Sequence, residues 1–289
     1  MLDSPNTPPN ANRLLPTHHA ERLPAPPEVW DWHAYESWRD TAWRLMADVL
    51  DDRVRAEFLR RPPEYVVGDD LSWLDRIIKR TTGAEIDSKS LMADRLTGHF
   101  TAMRACHATR SADLAAYYSD GLRPLDPEVV HIRAREIFLG GEFTELTDAH
   151  LEEAIKTVGS DLREGRVYFE ANERLLIEDA GHYLLYGGEY LIAIAAHLPR
   201  YRDYRQTLKR FGTPTMFVCD VPLTDIDGRI VLEFAGTALE MMFQELLDGE
   251  DFEPDWHRGA GFCIHRPLPP TNIVGHYHPT KMRDPLTRY

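Results

Sequence analysis

The feature that most constrains the fold is a change of texture near residue 165. Before it, apolar residues recur every three or four positions between capping residues and glycines, the helical period. After it, short apolar runs recur between turn residues: Arg166 to Glu170, Glu189 to His197, Thr215 to Val221, Arg229 to Phe234, Gly261 to His265 and Asn272 to Tyr277 read as strands. Two helices, about Glu173 to Leu185 and Thr237 to Leu247, interrupt them. Strands and helices without strict alternation predict an α+β fold around mixed or antiparallel sheets, with a helical N-terminal subdomain.

Residues 1–27 hold many Pro and Asn and no apolar period, so they read as a disordered arm; His18-His19 lies there. Residues 28–96 read as the helical subdomain and 97–289 as the second domain. In the first, Trp32, Tyr35, Trp38, Ala42, Leu45, Met46 and Val49 share a helical face through about Leu59, before Pro62-Pro63. Leu71, Leu74, Ile77 and Ile78 mark a helix closed by Thr82-Gly83. Asp87 or Ser88 caps a third, with Met92, Leu96, Phe100 and Met103 inward. Asp126-Pro127 and Thr147 begin two more helices.

The net charge of −14 argues against general electrostatic attraction to nucleic acid or anionic lipid. The sequence contains no apolar run of the roughly 18 residues that a membrane span needs and no basic-then-apolar leader, so the expectation is a cytoplasmic protein with no membrane partner. Three widely spaced cysteines make no disulfide framework.

The segment Ala105-Cys106-His107-Ala108-Thr109-Arg110, followed by Gly121-Leu122, suggests a ligand-binding strand. His107 and Thr109 share one face of an extended segment, and both can bond ribose hydroxyls. Tyr168 on a strand and Tyr183 on the next helix could stack on a flat heterocycle. Glu189 follows Gly187-Gly188, which let a ligand approach the backbone, and could accept from a hydroxyl or stabilise developing positive charge. Each residue also has a purely structural reading, as core histidine, core aromatics and a surface strand start.

Together, His107-Ala108-Thr109-Arg110, Gly121-Leu122, Gly165-Arg166-Val167-Tyr168-Phe169 and Ala180-Gly181-His182-Tyr183 resemble the motifs of the ADP-ribosyltransferase fold. The resemblance, over roughly residues 97 to 280, is to its His-Tyr-Glu class, that of diphtheria toxin and the poly-ADP-ribose polymerases. It implies a split sheet core and NAD as substrate, with no metal required. It further implies that His107, Thr109 and Arg110 bind NAD, that Tyr168 and Tyr183 sandwich nicotinamide, and that His107, Tyr168 and an acid are catalytic. The family's late glutamate has no counterpart in Gly261-Phe262-Cys263-Ile264-His265; Glu189 is the first substitute and Glu253 the second, and His265 could occupy the old place.

The acceptor expected for such a glycosyltransferase, a toxin or antiphage effector, is RNA, single-stranded DNA or protein, with an antitoxin-like inhibitor as a further partner. Arg200, Arg202, Arg205, Lys209 and Arg210, interleaved with Tyr201, Tyr204 and Phe211, form a basic and aromatic patch suited to single-stranded nucleic acid, or simply a solvated helix face. Two rival readings remain. Cys263, His265, His276 and His278, with His257 nearby, supply ligand types for a zinc hydrolase, although no strong zinc spacing is present. Alternatively, the missing glutamate marks a degenerate transferase fold that only binds a partner.

Overall fold

A computed structural model describes residues 14–15, 24–161, 163–254 and 260–286. His18-His19, His257 and most of the 1–27 arm lie outside the described residues. Within the arm, Leu15 is buried and Leu14 forms a parallel bridge to His276.

In chain order the first elements are β1 (Val29–Trp30), α1 (Tyr35–Leu45), α2 (Asp52–Arg60), α3 (Ser72–Thr82), α4 (Ser88–His99) and β2 (Ala102–Ser111). There follow α5 (Ala115–Asp120), α6 (Pro127–Phe138), α7 (Asp148–Val158), β3 (Val167–Glu170), α8 (Glu173–Glu178), α9 (His182–Tyr186), α10 (Glu189–His197) and α11 (Arg205–Leu208). The chain ends through β4 (Thr213–Pro222), α12 (Gly228–Asp248), β5 (Gly261–Ile264) and β6 (Ile273–Tyr277). The fold is mixed, with much helix and an open, largely antiparallel sheet in the order β5-β3-β2-β4-β6, β1 pairing with β2.

The chain divides into two compact units, Ala25–Arg104 with Val221–Phe262, and Ala105–Asp220 with Cys263–Tyr289 and the described residues before Ala25. The helical unit thus takes in α12 from late in the chain, where the sequence suggested a boundary at residues 96/97. Its core is aromatic: Trp30, Trp32, Trp38, Phe100 and Phe234 pack ring to ring, and the Trp38 indole N–H donates to the Trp32 carbonyl at 3.1 Å. The expected single helix through Leu59 is two, because the Asp51 carboxylate caps a fresh start by accepting from the Arg53 and Val54 amides.

α12 replaces the expected strand Arg229 to Phe234. Asp227 caps it, and its buried residues Val231, Phe234, Ala235, Ala238, Leu239 and Met242 keep the helical period through the β-branched start. Gly236, inside α12, is a close contact: its backbone meets that of Gly68 where neither position has room for a Cβ.

In the sheet unit α6, α7, α10 and α11 share a core built from Ala134, Phe138, Leu151, Tyr190, Ile194 and Leu208. α10 is the second correction, since Glu189 to His197 read as a strand. Its buried residues, Tyr190, Ile194 and Ala195, fall at helical spacing, and an unbroken apolar run does not by itself distinguish the two states. Asp126, with Pro127 at the first helical position, and Thr147 cap α6 and α7 as expected.

Candidate active site

β2 sits at the centre of the sheet, and its alternation decides what its side chains can reach. Cys106 and Ala108 join Met216, Val218 and Tyr277 in a core cluster under α8 and α9. The register Cys106↔Glu170 sets Ala108 opposite Tyr168 and His107 opposite Phe169. The His107 and Phe169 rings accordingly lie 5.9 Å apart. His107 and Thr109 therefore leave the strand on the face opposite to Tyr168, and the expected convergence of all three side chains is not found.

His107 meets Tyr168 through the main chain. Its Nδ1 lies 2.8 Å from the Tyr168 carbonyl, which can only accept, so the proton of the neutral ring sits on Nδ1. Burial pushes the imidazole pKa below its usual value, with the bond to the carbonyl opposing it.

Tyr168 lies between the buried Val167 and Phe169 and turns outward, 41% exposed. On its side of the strand stands Tyr183 from α9, half-buried against the Cys106–Ala108 cluster. Burial raises the Tyr183 phenol's pKa, and the Glu189 carboxylate and the Tyr168 phenol push it the same way. Glu189 opens α10 after two left-handed residues, Gly187 at φ 87° and Gly188 at φ 120°, conformations that favour glycine. Its side chain is 47% exposed, with Oε1 3.4 Å from His182 Nε2 and Oε2 3.9 Å from Arg163 Nε. The His182 imidazole holds the Glu189 carboxyl below its usual range, against burial, with help from Tyr183 and Arg163. The start of a helix also favours a carboxylate.

The structure thus brings together Tyr168, Tyr183 and Glu189, and adds two residues that the sequence reading did not single out. His182, whose ring lies 4.2 Å from that of Tyr183 and tilted by 35°, lay inside a quoted motif without a role. Arg163 belongs to the loop before β3 and carries no motif signal. The arrangement is the Tyr183 phenol beside an ionised carboxylate that is backed by an imidazole and a guanidinium, with the Tyr168 phenol near Tyr183.

Several expected site residues serve elsewhere. Arg110 donates to three main-chain carbonyls, Phe211 at 3.0 Å, Leu184 at 3.4 Å and Lys209, so its guanidinium ties β2 to α9 and to the end of α11 rather than waiting for a phosphate. Gly121, at φ 80°, leaves no space for a Cβ against the Leu268 carbonyl, and Leu122 and Leu268 exchange amide bonds. Gly-Leu is there a packing device. Glu253 belongs to the helical unit and not to the unit of Tyr168.

The basic patch is internally neutralised. Arg202 pairs with Glu145 at 3.0 Å, Arg205 with Asp203 at 2.7 Å, Lys209 with Asp284 at 2.7 Å and Arg210 with Glu142 at 2.6 Å. Tyr204 is buried, with its hydroxyl on Glu145, and cannot stack on a base. Arg200 has no such acid among the described residues. The zinc set is divided as well: Cys263 and His265 belong to β5 and its end, His276 and His278 to β6 and its end, at opposite edges of the sheet. His276 Nδ1 is bonded to the Tyr118 hydroxyl at 2.6 Å, and His278 Nδ1 donates to the Pro214 carbonyl at 2.9 Å. Among the described residues, no group of three or more His, Cys, Asp or Glu could hold a metal ion. No described helix is long and apolar enough to cross a membrane.

No family model matches this chain, and neither the curated proteins nor the solved structures contain a match to it.

Proposed function

We propose that the chain is an ADP-ribosyltransferase that uses NAD as donor, with its nicotinamide pocket between Tyr168 and Tyr183. The observation that carries this reading is the Tyr183 phenol from α9 beside the ionised carboxylate of Glu189, with the Tyr168 phenol from β3 near enough to raise the Tyr183 pKa. It is supported by the motif resemblance of the same segments.

In this reading the rings of Tyr168 and Tyr183 hold the nicotinamide by stacking and exclude water from the glycosidic bond. Glu189 accepts from a ribose hydroxyl and stabilises the oxocarbenium-like charge that develops as nicotinamide departs. His182 keeps Glu189 ionised and oriented. His107 is a positioning residue that fixes the Tyr168 main chain through its Nδ1–H. The acceptor is a nucleophile on nucleic acid or protein, and the paired state of the Arg202–Arg210 cations favours protein.

The test is release of labelled nicotinamide from NAD by the full chain, with and without cell lysate. Tyr168→Ala should lose NAD binding. His107→Asn, which retains an N–H near the Tyr168 carbonyl, should keep more activity than His107→Ala. Turnover unaffected by Tyr168→Ala and Glu189→Gln would sink the assignment of the pocket.

A further inference from the structure

The β5 edge carries a second group of reactive side chains that the proposed pocket does not use. Cys106 and Cys219 are 1% and 0% exposed, whereas Cys263 is half-buried. Strand alternation explains the difference: Phe262 and Ile264 point into the core, and Gly261, Cys263 and the exposed His265 point outward. Two residues apart on one face, the Cys263 Sγ and His265 Nε2 lie 4.0 Å apart, the outer limit of a sulfur hydrogen bond. Arg166, whose Nη1 lies 3.4 Å from the Tyr168 hydroxyl, immediately precedes β3, the strand that pairs with β5. β5 closes one end of the strand order, so this cluster sits on a sheet edge. A thiol, an imidazole positioned to take its proton and a nearby guanidinium make up a nucleophile, a base and an anion partner.

We propose that Cys263, served by His265, is a thiol modification site that reacts with small anionic disulfides of the glutathione class. His265 Nε2 takes the proton from Sγ as the sulfur attacks one sulfur of the disulfide. A new S–S bond forms to Cys263 while the old one breaks, and the departing thiolate takes the proton back from the imidazolium. Cys263 is oxidised and the departing sulfur is reduced, so the incoming disulfide is the oxidant. Arg166 pairs with a carboxylate of the incoming molecule. The two other thiols are enclosed in the core, which makes the reaction selective.

The test is treatment of the folded full chain with oxidised glutathione, read by intact mass and peptide mapping, with reaction rates from a chromogenic aromatic disulfide. The expected result is one adduct, on Cys263, absent in Cys263→Ser, with all three cysteines reacting after denaturation. His265→Gln, a change at an exposed position, should slow the reaction about a hundredfold, at the low end for loss of a positioned base. Modification of Cys106 or Cys219 as fast as Cys263, or a His265→Gln rate equal to wild type, would overturn the proposal.

Discussion

The Gly68–Gly236 contact sets two effects against each other in a single substitution. In an open helix, Gly236→Ala would stabilise the protein by about 0.8–1 kcal/mol through helix propensity. Here the added Cβ would fall well inside contact distance of the Gly68 carbonyl oxygen and 2.7 Å from Lys89 Cε. The lysine tip can swing away, but the Gly68 backbone is held to the same helix, because its amide donates to Glu240 at 2.6 Å. Retreat of that backbone combines overpacking, about 1–3 kcal/mol, with weakening of a charge-assisted hydrogen bond worth about 1.5–3 kcal/mol. The penalty exceeds the propensity gain, and a net loss of about 2 kcal/mol, or roughly 4–8 °C in Tm, is expected. Gly98→Ala is the control: it lies in the last turn of α4 with nothing within 4 Å of an added Cβ. There the propensity gain should appear alone, as about 0.5 kcal/mol of stabilisation. Thermal and urea unfolding of both variants decide the matter. A Gly236→Ala protein as stable as Gly98→Ala would refute the close backbone approach.

Arg110→Met removes the donor to three carbonyls and should lower stability by about 2–4 kcal/mol in urea unfolding. Arg110→Lys should recover only part of that, since an ammonium does not span three acceptors in a fork. His107 and His276 are both pushed below the ordinary 6.5, foremost by burial. The unfolded chain therefore takes up protons first, so their contribution to stability is full above pH 6.5 and falls as the pH drops toward the folded-state values. Urea titrations between about pH 7.5 and 5 should show this fall, and His276→Gln should make it shallower.

Much of the local structure was legible because its signals are short-range. Asp126-Pro127, Thr147 and Asp87 sit at the helix starts they predict, and Gly83, at φ 80°, ends α3. The strands after residue 165 were found wherever turn residues bounded them. α10 and the first turns of α12 were missed for one reason: runs such as Leu191 to Ala196 and Ile230 to Leu232 are apolar throughout, and only the packing partners show which period is buried. In the candidate site, Tyr168, Tyr183 and Glu189 were visible, but the face from which His107 projects depends on strand register. The fates of Arg110 and the Arg202–Arg210 cations depend on carbonyls and acids distant in sequence, among them Glu142, Glu145 and Asp284. Charge counted along the chain could not show that those cations were already paired.

In the proposed function Glu189, held ionised by His182, completes an NAD-cleaving pocket with Tyr168 and Tyr183. The most direct measurement is nicotinamide release from NAD by wild type and Glu189→Gln, alongside their thermal unfolding. Glu189→Gln should lose about 10²–10³-fold in turnover, typical of removing one transition-state stabiliser. Its stability should change by no more than about 0.5 kcal/mol, because the Glu189 side chain is 47% exposed and its ion pair is screened. Equal turnover by the two proteins, or no turnover and no NAD binding by wild type with any acceptor, would contradict the assignment of Glu189 to such a pocket.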